Sequence, residues 1–170
     1  MKSVLFVCTA NMCRSPMAEA LFEAVVRERG EPAEWRIESA GVGATEGQPA
    51  TGNTQVVAAE RGMNLGSHRS KLATRASLRP FSLVLVMDEG HRQQIREAAP
   101  EHAGRVYLLS EMVGEGFAIQ DPVGSDIDHY RVMADQIDGI LRTGFARMRE
   151  LADNPADLDR GERAQRPGPT

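Results

Sequence analysis

The sequence predicts an α/β fold: three layers, with a four-stranded parallel sheet carrying helices on both faces. Four short apolar, partly β-branched runs recur along the chain, each followed by polar or glycine-rich residues. Stretches with helical spacing lie between them. Strands that alternate with helices favour parallel pairing, with both faces of the sheet covered. A length of 170 residues suits one domain with a substantial core.

The strands are expected at Ser3 to Val7, Trp35 to Ser39, Ser82 to Met87 and Arg105 to Leu109. A helix follows the first strand, with Met17, Leu21, Ala24 and Val25 at helical spacing. Ser15 reads as its N-cap and Pro16 as its first residue, where a missing N–H costs nothing; Glu19 and, before Gly30, Arg27 and Arg29 suit the helix dipole. Val56, Val57 and Ala59 mark a second helical stretch, and His91 to Ala99 a third. The clearest helix is expected to run unbroken from about Asp126 to Ala152. Ile127, Tyr130, Met133, Ile137, Ile140, Met148 and Leu151 form its stripe, which Gly139 and Gly144 weaken. Asp126 and Asp128 suit its N-terminus. The domain is therefore residues 1–152, and residues 153–170, with three prolines and little to bury, read as a disordered tail.

Charge narrows the function. Twenty Lys and Arg against 24 Asp and Glu give a net charge of -4, which argues against a nucleic-acid partner. No run approaches the roughly 18 apolar residues of a membrane span, and the first residues lack a signal-peptide core. A cytoplasmic protein with no membrane partner is expected. Cys8 and Cys13 are the only cysteines, and in a reducing compartment such a pair is catalytic, redox-active or merely buried.

Ligands of doubly wound sheets bind beyond the carboxyl ends of the strands, which is where Cys8 leaves the first strand. A strand, a tight loop and a helix N-terminus form the arrangement in which backbone N–H groups converge on an anion. Thr9, Ala10, Asn11, Met12, Cys13, Arg14 and Ser15 make up this phosphate-binding stretch, and the Arg14 fork matches two phosphate oxygens. A thiol at Cys8 facing that pocket should lose its proton below the roughly 8.5 of a free cysteine, giving a thiolate near neutral pH. Such a thiolate can attack the phosphorus of a cradled monoester in line while amides and arginine hold the remaining oxygens, which describes a phosphatase working through cysteinyl-phosphate. The leaving oxygen then needs a proton and the phosphocysteine an activated water, and one carboxyl can serve both. Asp121, on the long connection after the fourth strand and restrained by Pro122, can reach over the pocket. Cys13 either fills space under the loop or closes a reversible disulfide with Cys8. His91, His102 and His129 show no metal-ligand pattern and read as solvated or packed.

The stretch "VCTANMCRSPMAE" resembles the signature loop of the low-molecular-weight protein tyrosine phosphatases. The likeness continues through "SAGV", "SHRSKL", "LVLVMDE" and "DPVGSD", from Met1 to about Ala152. The resemblance implies Cys8 as nucleophile, Arg14 as phosphate clamp and Asp121 as general acid, with no metal or organic cofactor. It also implies that Ser15 steadies the thiolate, that Asn11, Ser39 and His68 form a hydrogen-bond network shaping the loop, and that the partner is a phosphorylated protein, with no kinase indicated. Animal members wall the pocket with aromatics where this chain has the likes of Thr45 and Val123, so stacking on a phenyl ring is reduced. "DPVGSD" followed by "DHYR" looks closer to a bacterial branch that includes protein-arginine phosphatases. A small threonine within the loop is thought to admit phosphoarginine there; here position 12 is Met, a long thioether that favours phosphotyrosine-type monoesters, with protein-arginine phosphatase as the alternative. Arsenate reductase on this fold would need two further cysteines, and none follows Cys13. A thiol redox sensor would not require Arg14 or Asp121, and a phosphate-binding module would be expected to lose Cys8 or Asp121.

Overall fold

In the computed structural model, which describes residues 1–154, the four apolar runs form strands β1 (Lys2–Cys8), β2 (Trp35–Gly41), β3 (Leu83–Val86) and β4 (Val106–Leu108). They pair in parallel in the order β2-β1-β3-β4. Around them lie α1 (Arg14–Glu28), α2 (Gly52–Glu60), α3 (Arg75–Leu78), α4 (Glu89–Ala98), α5 (Ile127–Thr143) and α6 (Phe145–Asp153). Of the expected tail, Asp153 closes α6 and Asn154 follows; residues 155–170 lie outside the described residues.

Every residue of β1 and β3 is buried, as parallel strands covered on two faces require. Alternate side chains feed two cores. Val4, Phe6, Leu83 and Leu85 pack with Met17, Leu21 and Phe22 of α1, and with Met133 and Ile137 of α5. Leu5, Val7, Val84 and Val86 pack with Leu78, Phe81 and Ile95 on the other side. The larger core ends in an aromatic group in which Phe22 and Trp35 meet edge to face, their ring centroids 4.9 Å apart.

Two expectations are corrected. Ser15 is not the N-cap and Pro16 is not the first helical residue: α1 begins at Arg14, with Cys13 in the cap position. The Ser15 hydroxyl is engaged by Cys8 and Asn11 instead, and Pro16 remains within the first turn, where its missing N–H still costs nothing. The final helix is also interrupted, because Gly144 separates α5 from α6. A Cβ at Gly144 would lie 2.7 Å from Met112 Cβ and 2.9 Å from the Ile140 carbonyl oxygen. The chain turns there against Met112, in the short 3-10 segment Leu109–Val113. Among the described residues, no helix is long and apolar enough to cross a membrane.

Because β1 lies between β2 and β3, the segments that leave the carboxyl ends of these three strands are neighbours. Cys8 ends β1 opposite Gly41, and Asp88 follows β3 as the N-cap of α4, accepting a hydrogen bond from the His91 N–H.

Candidate active site

The segment Thr9–Cys13 connects buried Cys8 to the first turn of α1. Its backbone is held from the β2 side: Val42 N donates to the Cys8 carbonyl at 3.0 Å and Gly43 N to the Thr9 carbonyl at 2.9 Å. The approach of β2 is close enough that a Cβ at Gly41 would lie 2.4 Å from the Thr9 oxygen and 2.8 Å from Asn11 N. Only glycine fits there.

Asn11 turns the loop in the left-handed region, with φ of 57°, which asparagine tolerates better than most residues. Its side chain is fully engaged. Asn11 Nδ2 donates to Ser15 Oγ at 2.8 Å and Ser39 Oγ at 2.9 Å, while Oδ1 accepts from Lys71 N at 2.9 Å. The Asn11 carbonyl lies 2.7 Å from His68 Nε2, and burial holds His68 below its ordinary pKa. Ser39 passes its own proton on to the Glu19 carboxylate. Burial pushes that carboxyl up to about 7.

Cys8 Sγ and Ser15 Oγ are 2.9 Å apart. Asn11 already donates to Ser15 Oγ, so the hydroxyl proton is available to the sulfur or to the Ala40 carbonyl at 3.3 Å, and the sulfur is nearer.

Arg14 is 4% exposed, and Nη1 donates to the Ile119 carbonyl at 2.9 Å. Its guanidinium lies 3.6 Å from Asp88 Oδ2 and 3.6 Å from Asp121 Oδ2. Both carboxylates are beyond hydrogen-bond length, so they orient the fork while leaving donors for an incoming anion. Asp121 sits half-exposed on the loop after Ile119, its Oδ1 accepting from Val123 N at 3.1 Å. No side chain caps α1 among the described residues, which leaves first-turn N–H groups facing the loop.

Cys13 is buried under the loop, and burial pushes its thiol up to about 12, against a smaller opposing effect from its contact with Thr54. Cys8 and Cys13 are both free thiols. Met12 is half-buried, its carbonyl accepting from Thr51 N at 2.9 Å, and Thr9 and Ala10 are exposed.

The structure thus joins Cys8, Ser15, Asn11, Ser39 and His68 in one hydrogen-bonded cluster, while Arg14, next to Ser15 in the chain, is held separately by Ile119 with Asp121 beside it. Asp88, Gly41 and the contact of His91 with Thr9 escaped the sequence reading. Asp88 had an available signal, since it follows the third apolar run just as Cys8 ends the first. Gly41 had none without the strand register. Among the described residues, no three His, Cys, Asp or Glu side chains are grouped to hold a metal ion.

Residues 3–154 match the family model "Low molecular weight phosphotyrosine protein phosphatase". A protein-arginine-phosphatase of Geobacillus stearothermophilus is 36% identical over 139 residues, 81% of this chain and 90% of that protein. A probable low molecular weight protein-tyrosine-phosphatase, EpsP, of Ralstonia nicotianae is 33% identical over 88% of this chain and 98% of its own. The crystal structure of a low molecular weight protein tyrosine phosphatase from T. tengcongensis superposes with a TM-score of 0.81 at 34% identity, covering 86% of this chain and 99% of that one.

Proposed function

This chain belongs to the low molecular weight phosphotyrosine protein phosphatase family, and on that premise we propose that it hydrolyses phosphotyrosine-type monoesters on proteins, with Cys8, Arg14 and Asp121 as its catalytic residues. Cys8 sulfur attacks phosphorus in line, and the bond to the ester oxygen breaks as Asp121 gives that oxygen its proton. Asp121, now a carboxylate, takes a proton from water; the water oxygen attacks the phosphocysteine, and phosphate leaves with Cys8 restored. Through both steps the Arg14 fork and the N–H groups of Thr9 to Ser15 hold the equatorial oxygens. Cys13 fills space beneath the loop.

The observation that carries this reading is the pairing of two buried groups in one loop. Cys8 Sγ sits 2.9 Å from the Ser15 hydroxyl, and Arg14 is clamped by Ile119 between Asp88 and Asp121. A structural cysteine needs neither.

The relatives include both a protein-arginine-phosphatase and protein-tyrosine-phosphatases, at similar identities. Met12 supports the tyrosine reading, because a half-buried thioether in the loop narrows the space that a threonine would leave. Initial rates on phosphotyrosine and phosphoarginine peptides, with a chelator present, test both levels. The wild type is expected to prefer phosphotyrosine, and Cys8→Ser to lose about four orders of magnitude or more in rate. Met12→Thr should shift the preference toward phosphoarginine by about tenfold. Activity that survives Cys8→Ser, or that requires a divalent cation, overturns the mechanism; an unmoved preference removes Met12 as the selector.

A further inference from the structure

His91 is 2% exposed in the first turn of α4, and none of the steps above uses it. Its Nε2 lies 2.8 Å from Thr9 Oγ1, on the residue that directly follows Cys8. Its Nδ1 lies 3.4 Å from Asp88 Oδ1 and has no hydrogen-bond partner among the described residues. Asp88 in turn reaches Arg14 through its other oxygen, at 3.6 Å. The backbone of Thr9 is held from the opposite side, its carbonyl accepting from Gly43 N at 2.9 Å. Thr9 is therefore gripped twice, by its carbonyl from the β2 side and by its hydroxyl from the β3 side.

The protonation of the imidazole follows from its surroundings. Burial pulls His91 below its ordinary pKa and Arg14 reinforces this, while Asp88 and Asp121 oppose it, so the ring is neutral at neutral pH. A carboxylate facing Nδ1 favours the proton on that nitrogen and not a lone pair. Nε2 is then the acceptor, and Thr9 Oγ1 donates to it.

We propose that His91 is a positioning residue for the phosphatase reaction: by accepting the Thr9 hydroxyl it fixes the loop beside the nucleophile, and Asp88 couples that grip to Arg14. The inference rests on the proposed function. Losing the grip lets the Thr9 peptide rotate and spoils the alignment of Cys8 with phosphorus, whereas anion binding is shared by the remaining amides and Arg14. The loss should appear in kcat more than in KM.

The test is steady-state kinetics on a phosphotyrosine peptide, with thermal melts, for Thr9→Val, His91→Ala, their double variant and His91→Gln. Each single loss should lower kcat about tenfold with KM moved less than about threefold. The double variant should also lose about tenfold instead of the hundredfold of independent sites, because both changes cut one contact. His91→Gln, whose carboxamide oxygen can accept from Thr9, should recover most of the lost kcat. Multiplying losses, or a glutamine no better than alanine, overturn the proposal. Should His91→Ala fail to fold, Thr9→Ser against Thr9→Val decides: the serine variant is expected to be about tenfold faster, and equal rates overturn the proposal. A wild type without activity defeats the phosphatase reading instead.

Discussion

Glu19 is the outer end of a hydrogen-bonded path that runs through Ser39 and Asn11 to Ser15 and Cys8. Its carboxyl is pushed up to about 7, chiefly by burial and further by Glu23, against the pull of the Ser39 hydroxyl and Lys71. The consequence for stability has the opposite sign from that of a salt-bridged carboxylate. The unfolded chain releases this proton near 4.3, so between that pH and about 7 the folded state binds more protons, and stability falls as pH rises. Above the folded value the loss is complete, at most about 4 kcal/mol. Glu19→Gln keeps an acceptor for Ser39 without the charge. It should therefore exceed the wild type by up to about 4 kcal/mol near pH 8 and match it near pH 4, as urea unfolding at the two pH values would show. An equal difference at both would mean that Glu19 ionises in the fold as freely as in water.

At the scale of elements, the site depends on how closely β2 approaches the loop that leaves β1. A methyl group at Gly41 would meet the Thr9 oxygen at 2.4 Å, so Gly41→Ala must displace either the strand or the loop. A displacement of about 1 Å at reacting groups costs up to about two orders of magnitude in rate, and kcat/KM on an aryl phosphate should fall on that scale. Activity within twofold of wild type would contradict this. The strand runs and the cysteine at the end of the first were legible in the sequence because they are local patterns. The role of Gly41 was not, since it follows from a register that pairs it with Cys8, 33 positions earlier in the chain. The start of α1 was misplaced for a related reason: Ser15 and Pro16 look like a cap when read alone, but the hydroxyl serves a cysteine seven residues away. The break at Gly144 was hidden too, because the stripe continues across it and the cause is Met112, on a distant segment.

Across the whole molecule, strand order assembles the chemistry. With β1 central, the loop from Cys8, the Asp88 cap after β3 and the Asp121 connection beyond β4 open at one end of the sheet, around Arg14. The parallel sheet was legible from alternating apolar runs, and the strand-end rule located Cys8. The same rule also applies to "VMDEGH", but judging the histidines only by metal-ligand spacing left His91 aside. The placement of Asp121 beside Arg14 had support in Asp-Pro restraint, whereas the hold of the Ile119 carbonyl on that arginine has no sequence pattern. The central claim is that phosphoryl transfer passes through Cys8. Its most direct measurement is rapid quenching of the Asp121→Asn variant turning over an aryl phosphate with a good leaving group, followed by peptide mass spectrometry. That variant should form the intermediate and hydrolyse it slowly, so the phosphoryl group is expected on the peptide containing Cys8 at near one per protein. A phosphoryl group on another residue, or continued turnover with no phosphoenzyme on Cys8, would contradict the account.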